Sequence, residues 1–269
     1  MKRVAAVQMA SGPNVGANLI EAKRSIERAA DAGAKLVILP ENFALMGHSD
    51  SDMLKIKEHE GEGEIQNFVA DLASKYGLWI VAGTIPLICD DGEKIRSSCL
   101  LYDDQGAQVG RYDKIHLFDV EIVDSSESYT ESEVIQPGDS IVVIDTPFGR
   151  LGLAICYDLR FPELFRQLLD QQVEIMAVPS AFTAVTGRAH WETLVRARAI
   201  ENLSFVVAAA QGGYHINGRE THGDSMIVDP WGTVLDRLQR GSGIVVADLD
   251  EDRLTSIRRN FPSIEHRRL

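Results

Sequence analysis

The chain has 269 residues, 45% hydrophobic and 25% charged, the mix of a globular protein rather than a disordered or collagen-like one. Its 27 lysines and arginines face 40 aspartates and glutamates, and the net charge of −13 opposes nucleic-acid phosphates. No apolar run approaches the roughly 20 residues that span a bilayer. An odd count of three cysteines fits free thiols in a reducing cytoplasm.

The N-terminal MKRVAAVQMA is basic and then apolar, but it reaches Gln8 too soon for a signal sequence, so a strand is expected over residues 3–8. Asn18 with Glu21 has the capping-box spacing, and Leu19, Ala22, Ile26, Ala29 and Ala30 recur at helical intervals before Gly33. A buried strand follows over residues 35–39, ending at Pro40. The next helix carries Ile65, Phe68, Val69, Leu72, Ala73 and Tyr76 on one face and stops at Gly77. Segments 78–88, 98–102 and 108–118 are β-rich, and residues 119–140 read as a polar loop.

The second half restarts with a strand over residues 151–155, a helix over 161–169 opened by Pro162, and a strand over 173–178. A helix with Trp191, Leu194, Val195 and Ile200 comes next, then a strand over 205–211. A hairpin turns at Asp229 to Gly232, and the chain closes with a strand over 244–248 and a helix over 250–260. LVILPENF at 36–43 is echoed by IMAVPSAF at 175–182, each at the end of a strand that follows a helix. The pattern predicts an α/β layered fold with an internal pseudo-twofold, one domain over residues 1–269.

Cys156 ends an apolar strand just ahead of a helix. At such a turn the helix amides would lower the thiol pKa, and the Tyr157 N–H would face an oxyanion. The other reading is a small buried core cysteine, and that reading is kept for Cys89 and Cys99. Glu41 follows a buried strand at the carboxyl edge where α/β proteins bind ligands. Beside Phe43 and Leu45 its carboxyl is expected to titrate high enough to exchange protons near neutrality; a capping or salt-bridged glutamate is the alternative. Lys114 is either a snorkelling edge charge or a cation aimed into a site. His190, His215 and His222 lack metal-ligand spacing, and no phosphate-binding glycine motif is present.

Taken in order, LPENF around Glu41, YDKIHL around Lys114 and AICYDLRFPE around Cys156 resemble the Glu–Lys–Cys triad motifs of the carbon–nitrogen hydrolase (nitrilase) superfamily. The resemblance runs from the first strand to DPWG at 229–232 and EHRR at 265–268, and Glu131 ahead of Pro137 matches the family's second glutamate. It implies a four-layer α-β-β-α sandwich, no metal or organic cofactor, and a homodimer or larger assembly with Phe161, Leu164 and Phe165 in its interface. It also implies roles for the residues. Cys156 is the nucleophile, Glu41 the proton carrier, and Lys114 with the Tyr157 N–H the oxyanion stabiliser, while Glu131 positions lysine and substrate.

Segments 180–187, 189–191, 196–201 and 206–211 look most like Nit-type amidases, which implies a small acidic α-keto amide as substrate. Ser180 and Phe182 would then line the pocket. Arg160 is either the cation for the substrate carboxylate or a structural ion pair. Residues 180–182, 210–211 and 225–226 lean toward deaminated glutathione, with an ω-amidase acting on 2-oxoglutaramate or 2-oxosuccinamate as the alternative. Asp224 departs from the histidine that many relatives carry there. Arg196, Arg198 and Glu201 read as ion pairs of a helix, and Trp191 as core or substrate contact.

Overall fold

The computed structural model describes residues 2–89, 92–122, 127–216 and 218–268. Its first half comprises β1 (Lys2–Gln8), α1 (Val15–Asp31), β2 (Leu36–Ile38), α2 (Glu64–Tyr76), β3 (Trp79–Val81), β4 (Ile85–Ile88), β5 (Ile95–Tyr102), β6 (Gln108–Asp113), β7 (Asp119–Glu121) and β8 (Ser128–Thr130). Then come β9 (Val143–Thr146), β10 (Gly149–Leu153), α3 (Pro162–Asp170), β11 (Ile175–Ser180), α4 (Ala184–Asn202) and β12 (Phe205–Ala210). The chain ends with β13 (Gly212–Tyr214), β14 (Glu220–His222), β15 (Ser225–Val228), β16 (Val234–Leu238), β17 (Gly243–Leu249) and α5 (Glu251–Asn260).

Two mixed sheets form, one ordered β17-β1-β2-β3-β5-β4 with β6 on β5, the other β16-β15-β12-β11-β10-β9. In each, three strands joined through helices run parallel, β1-β2-β3 and β10-β11-β12. Antiparallel neighbours flank both triplets in matching places, β17 and β5 in the first sheet, β9 and β15 in the second. The expected pseudo-twofold is this repeated β-α-β-α-β frame.

Side-chain alternation sets the layers. Ala5 and Val7 of β1 pack with Leu19, Ile26 and Val69 of α1 and α2, while Val4 and Ala6 face the second sheet. Leu164 and Phe165 of α3 and Trp191 and Val195 of α4 cover that sheet's other side, giving the α-β-β-α sandwich. Burial on both faces explains why β11 and β12 are buried at every position. It also removes Leu164 and Phe165 from any interface: both lie in the core, and Phe161 stacks on His116 at 3.6 Å.

Some local expectations needed tertiary context. Asn14, not Asn18, caps α1, accepting from Ala17 N at 2.9 Å. Asn18 is instead a buried bridge, bonded to Gly12 N (2.8 Å), Gly12 O (2.7 Å) and Ala44 O (2.9 Å). Segment 78–88 is two strands, broken at Gly83 (φ 57°), where a Cβ would collide with Pro40 O. The strand expected to run to Phe118 ends at Asp113, leaving Lys114 in the loop beyond it. Within 119–140 the chain forms the β7–β8 hairpin and a 3₁₀ turn, Glu131–Glu133; residues 123–126 lie outside the described residues. Among the described residues, no helix is long and apolar enough to cross a membrane.

Candidate active site

The carboxyl ends of β2, β10 and β11 open on one edge, which brings Glu41, Cys156 and Ala181 to one pocket. Two of these turns use the left-handed backbone that side chains adopt rarely, Asn42 at φ 56° and Cys156 at φ 45°. Both are held by buried polar groups. Asn42 N donates to Thr84 Oγ1 (2.8 Å), and Gln211 Nε2 donates to Glu41 O (3.0 Å). Gln211 is itself fixed by Ser11, whose N–H donates to Gln211 Oε1 at 3.0 Å.

Asp158 performs the same service for the Cys156 turn. Fully buried, it accepts Ile155 N (2.8 Å) and Tyr112 Oη (2.7 Å) on one oxygen, and on the other meets His116 N (3.2 Å) and His116 Nδ1 (2.7 Å). Tyr112 and His116 flank Lys114, so one carboxylate ties the lysine segment to Cys156. Arg198 of α4 braces the turn from behind through Leu159 O, at 3.0 and 2.7 Å. Sequence reasoning gave Asp158 no role and expected Gln211, with the rest of segment 208–211, to line the pocket, whereas those residues lie behind it. The only signal was polar residues directly after apolar strands.

Glu41, Lys114 and Glu131 form one chain of charge. Lys114 Nζ donates to Glu41 Oε1 at 2.8 Å and to both oxygens of Glu131 at 2.9 and 2.8 Å. Phe118 N donates to Glu131 Oε2 at 2.8 Å and keeps that carboxylate turned inward. Burial works against the lysine charge, but Glu131 and Glu41 outweigh it and hold the ammonium well above the ordinary lysine range.

The thiol behaves differently from expectation. Burial pushes Cys156 well above the ordinary thiol range and the Glu41 charge adds to it, while Lys114 and the Ala181 N–H, 3.5 Å from Sγ, pull down without prevailing. The expected lowering by a helix N-terminus fails because the turn Cys156–Arg160 is 3₁₀ and α3 starts only at Pro162. Held above that range, the resting thiol keeps its proton.

The pocket over Sγ is walled by Phe118, Glu131, Tyr157, Arg160, Phe182 and Arg219. Arg160 lies over the rings of Tyr157 (5.7 Å) and Phe182 (5.2 Å), with Nη1 3.2 Å from His190 Nδ1. Among the described residues no carboxylate pairs with it, against the ion-pair alternative. Ser180 is not brought to the pocket. Its hydroxyl is buried toward Val178 O at 3.4 Å, and Ala181 takes the lining position. Arg219, which sequence reasoning passed over, does line it.

Other expected residues have framework contacts. Arg198 pairs with Glu201 at 2.5 Å and Arg196 with Glu192 at 3.5 Å. Trp191 is fully buried against Phe182 and donates Nε1 to Asp224 O at 2.7 Å. Asp224 forms a paired contact with Arg237 at 2.5 and 2.7 Å. Cys89 and Cys99 are buried and in no disulfide, and burial pushes the Cys99 thiol up as well.

Comparison with known proteins agrees with this geometry. The family model described as carbon-nitrogen hydrolase matches residues 3–259. A deaminated glutathione amidase of Yersinia enterocolitica is 43% identical over 266 residues, covering 98% of this chain and 92% of that protein. The crystal structure of the C. elegans NitFhit protein has a TM-score of 0.92 at 37% identity, covering 99% of this chain; this chain spans 65% of the NitFhit chain. Saccharomyces cerevisiae Nit3, a member of the nitrilase superfamily, has a TM-score of 0.89 at 32% identity, covering 100% of this chain and 97% of that one. With nearly its whole length matched and its layers superposed, the chain belongs to the carbon–nitrogen hydrolase family.

Proposed function

We propose that this chain hydrolyses the amide bond of a small acidic α-keto amide, with deaminated glutathione as the substrate, through a thioester on Cys156. The observation that carries the reading is that Glu41 and Cys156 line one pocket, with buried Lys114 directly behind its wall, 2.8 Å from Glu41 and from Glu131. The 43% identical relative named for that activity supports the substrate class.

In the first step Sγ bonds to the amide carbonyl carbon while Glu41 takes the thiol proton. The carbonyl π electrons move onto oxygen, which Lys114 and the Tyr157 N–H stabilise. The C–N bond then breaks, and Glu41 returns the proton to the departing nitrogen. Water loses a proton to Glu41 and attacks the thioester; the C–S bond breaks and the proton returns to Sγ. The raised thiol pKa fits this order, because a thiol protonated at rest needs a base at the moment of attack. Glu131 keeps Lys114 aimed.

A protein of net charge −13 repels an acidic substrate overall, so the pocket needs a local cation. Arg160 beside Phe182 takes the acyl-side carboxylate in this reading. The enzyme is read as a cytoplasmic homodimer without metal or organic cofactor, residues 1–269 forming one catalytic unit. Exposed Ile200, Trp231 and Leu235 supply apolar surface for the second copy. Light scattering is expected to give twice the 29.6 kDa chain mass.

The reaction is tested by kcat/KM on deaminated glutathione and 2-oxoglutaramate side by side, with an aliphatic nitrile as control. A clear preference for deaminated glutathione is expected. Preference for 2-oxoglutaramate reassigns the substrate to that of an ω-amidase, and nitrile turnover without amide turnover overturns the amidase reading.

A further inference from the structure

The pocket holds two arginines on different walls. Arg160 belongs to the nucleophile turn and leans toward His190 of α4. Arg219 comes from the β13–β14 hairpin; its guanidinium lies 4.9 Å over the Tyr129 ring, and Nη2 donates to Ala181 O at 2.7 Å. Ala181 is the residue whose N–H meets Sγ, and Tyr129 stands just before Glu131 in the chain. Through Tyr129, two residues before Glu131, Arg219 sits toward the Glu131 side of the pocket, and Arg160, beside His190, on the α4 side. In the reaction proposed above, Glu41, 2.8 Å from Lys114, hands the proton to the departing nitrogen, which favours the Glu131 side of the pocket for the leaving amine.

We propose that Arg219 binds a carboxylate on the leaving-group side of the substrate, so that the pocket selects amides whose departing amine is itself an amino acid or small peptide. The inference rests on the cysteine-amidase reading above and adds the chemistry of the amine half. A guanidinium offers paired donors that match a carboxylate, which a lysine ammonium does not. The Tyr129 face and the Ala181 carbonyl orient it before substrate arrives, which reduces the cost of ordering it on binding. Two cations on opposite walls also suit a substrate with an acid at each end, as deaminated glutathione has in its α-keto acid and its cysteinylglycine.

The test compares wild type, R219A and R219K on three substrates: deaminated glutathione, its C-terminal carboxamide, and 2-oxoglutaramate, whose leaving group is ammonia. Wild type is expected to prefer the acid over the carboxamide by about 10- to 100-fold in kcat/KM, the scale of one charge-assisted hydrogen-bonded pair. In R219A that ratio falls to near one, R219K keeps part of it, and 2-oxoglutaramate turnover drops less than turnover of the acid. Equal losses on all three substrates with the acid preference intact overturn the proposal and leave Arg219 a support for Ala181. A wild-type enzyme that cleaves acid and carboxamide equally overturns it as well. Failure of wild type on all three would instead sink the amidase reading, and the assignment with it.

Discussion

The two halves repeat one β-α-β-α-β frame and put different chemistry at matching strand ends. After β2 comes Pro40 and the carboxylate of Glu41; at the end of β11, after Pro179, only a backbone amide reaches the thiol, Ala181 N at 3.5 Å from Sγ. After β10 the chain turns at Cys156, whereas at the end of β1 Gln8 holds framework, bonded to Ser225 N and Gly241 O at 2.8 Å each. The bracing crosses over. Gln211 of the second half grips the Glu41 turn, and Tyr112 and His116 of the first half grip Asp158 beside Cys156. The frame supplies positions, single side chains supply reactivity, and each reactive turn is held from the opposite half.

Removing the nucleophile breaks that division most completely. Cys156→Ala is expected to lower kcat by about 10⁴–10⁶-fold while the thermal midpoint barely moves. Cys89→Ala should leave the rate unchanged, and a strong loss there would put the nucleophile elsewhere.

Next in size, Glu41→Gln should cost about 10²–10⁴-fold in kcat. It also carries a sign. The Glu41 charge helps hold the thiol pKa up, so its removal leaves Lys114 and the Ala181 N–H favouring thiolate, and the pKa falls. Ultraviolet thiolate absorbance, referenced to the matching Cys156→Ala protein, should therefore appear at lower pH in the variant. A midpoint unchanged or moved upward contradicts the electrostatic picture.

The crossed bracing predicts a smaller effect. Asp158→Asn keeps the size but turns one acceptor toward N–H groups as a donor, at a cost of about 1–3 kcal/mol in urea unfolding. Because the misplaced group is the proposed nucleophile, kcat should fall about tenfold with KM little changed. A loss confined to KM would detach Asp158 from the nucleophile. Smallest of all, Ser180→Ala should stay within about twofold, since among the described residues its hydroxyl makes only a long contact to Val178 O. A larger loss would return Ser180 to the substrate.

The layered fold was legible because hydrophobic periodicity and the 36–43 and 175–182 echo are local signals. Glu41, Lys114 and Cys156 were legible because each sits in a distinctive short motif. The capping residue was not: both Asn14 and Asn18 offer a side-chain oxygen, and only the fold gives Asn18 a partner in Ala44. The thiol pKa was misread because a 3₁₀ turn and a helix start look alike in CYDLRFPE. Asp158, Gln211 and Arg219 act across long stretches of chain, a pairing that no single segment records.

The most direct measurement is acid-quench mass spectrometry of enzyme mixed with deaminated glutathione, followed by peptide mapping. The expected result is an acyl adduct on the peptide carrying Cys156, formed within the first turnover and released by hydroxylamine. Product formed through the first turnover with no covalent adduct, or an adduct on Cys89 or Cys99, would contradict a thioester at the end of β10.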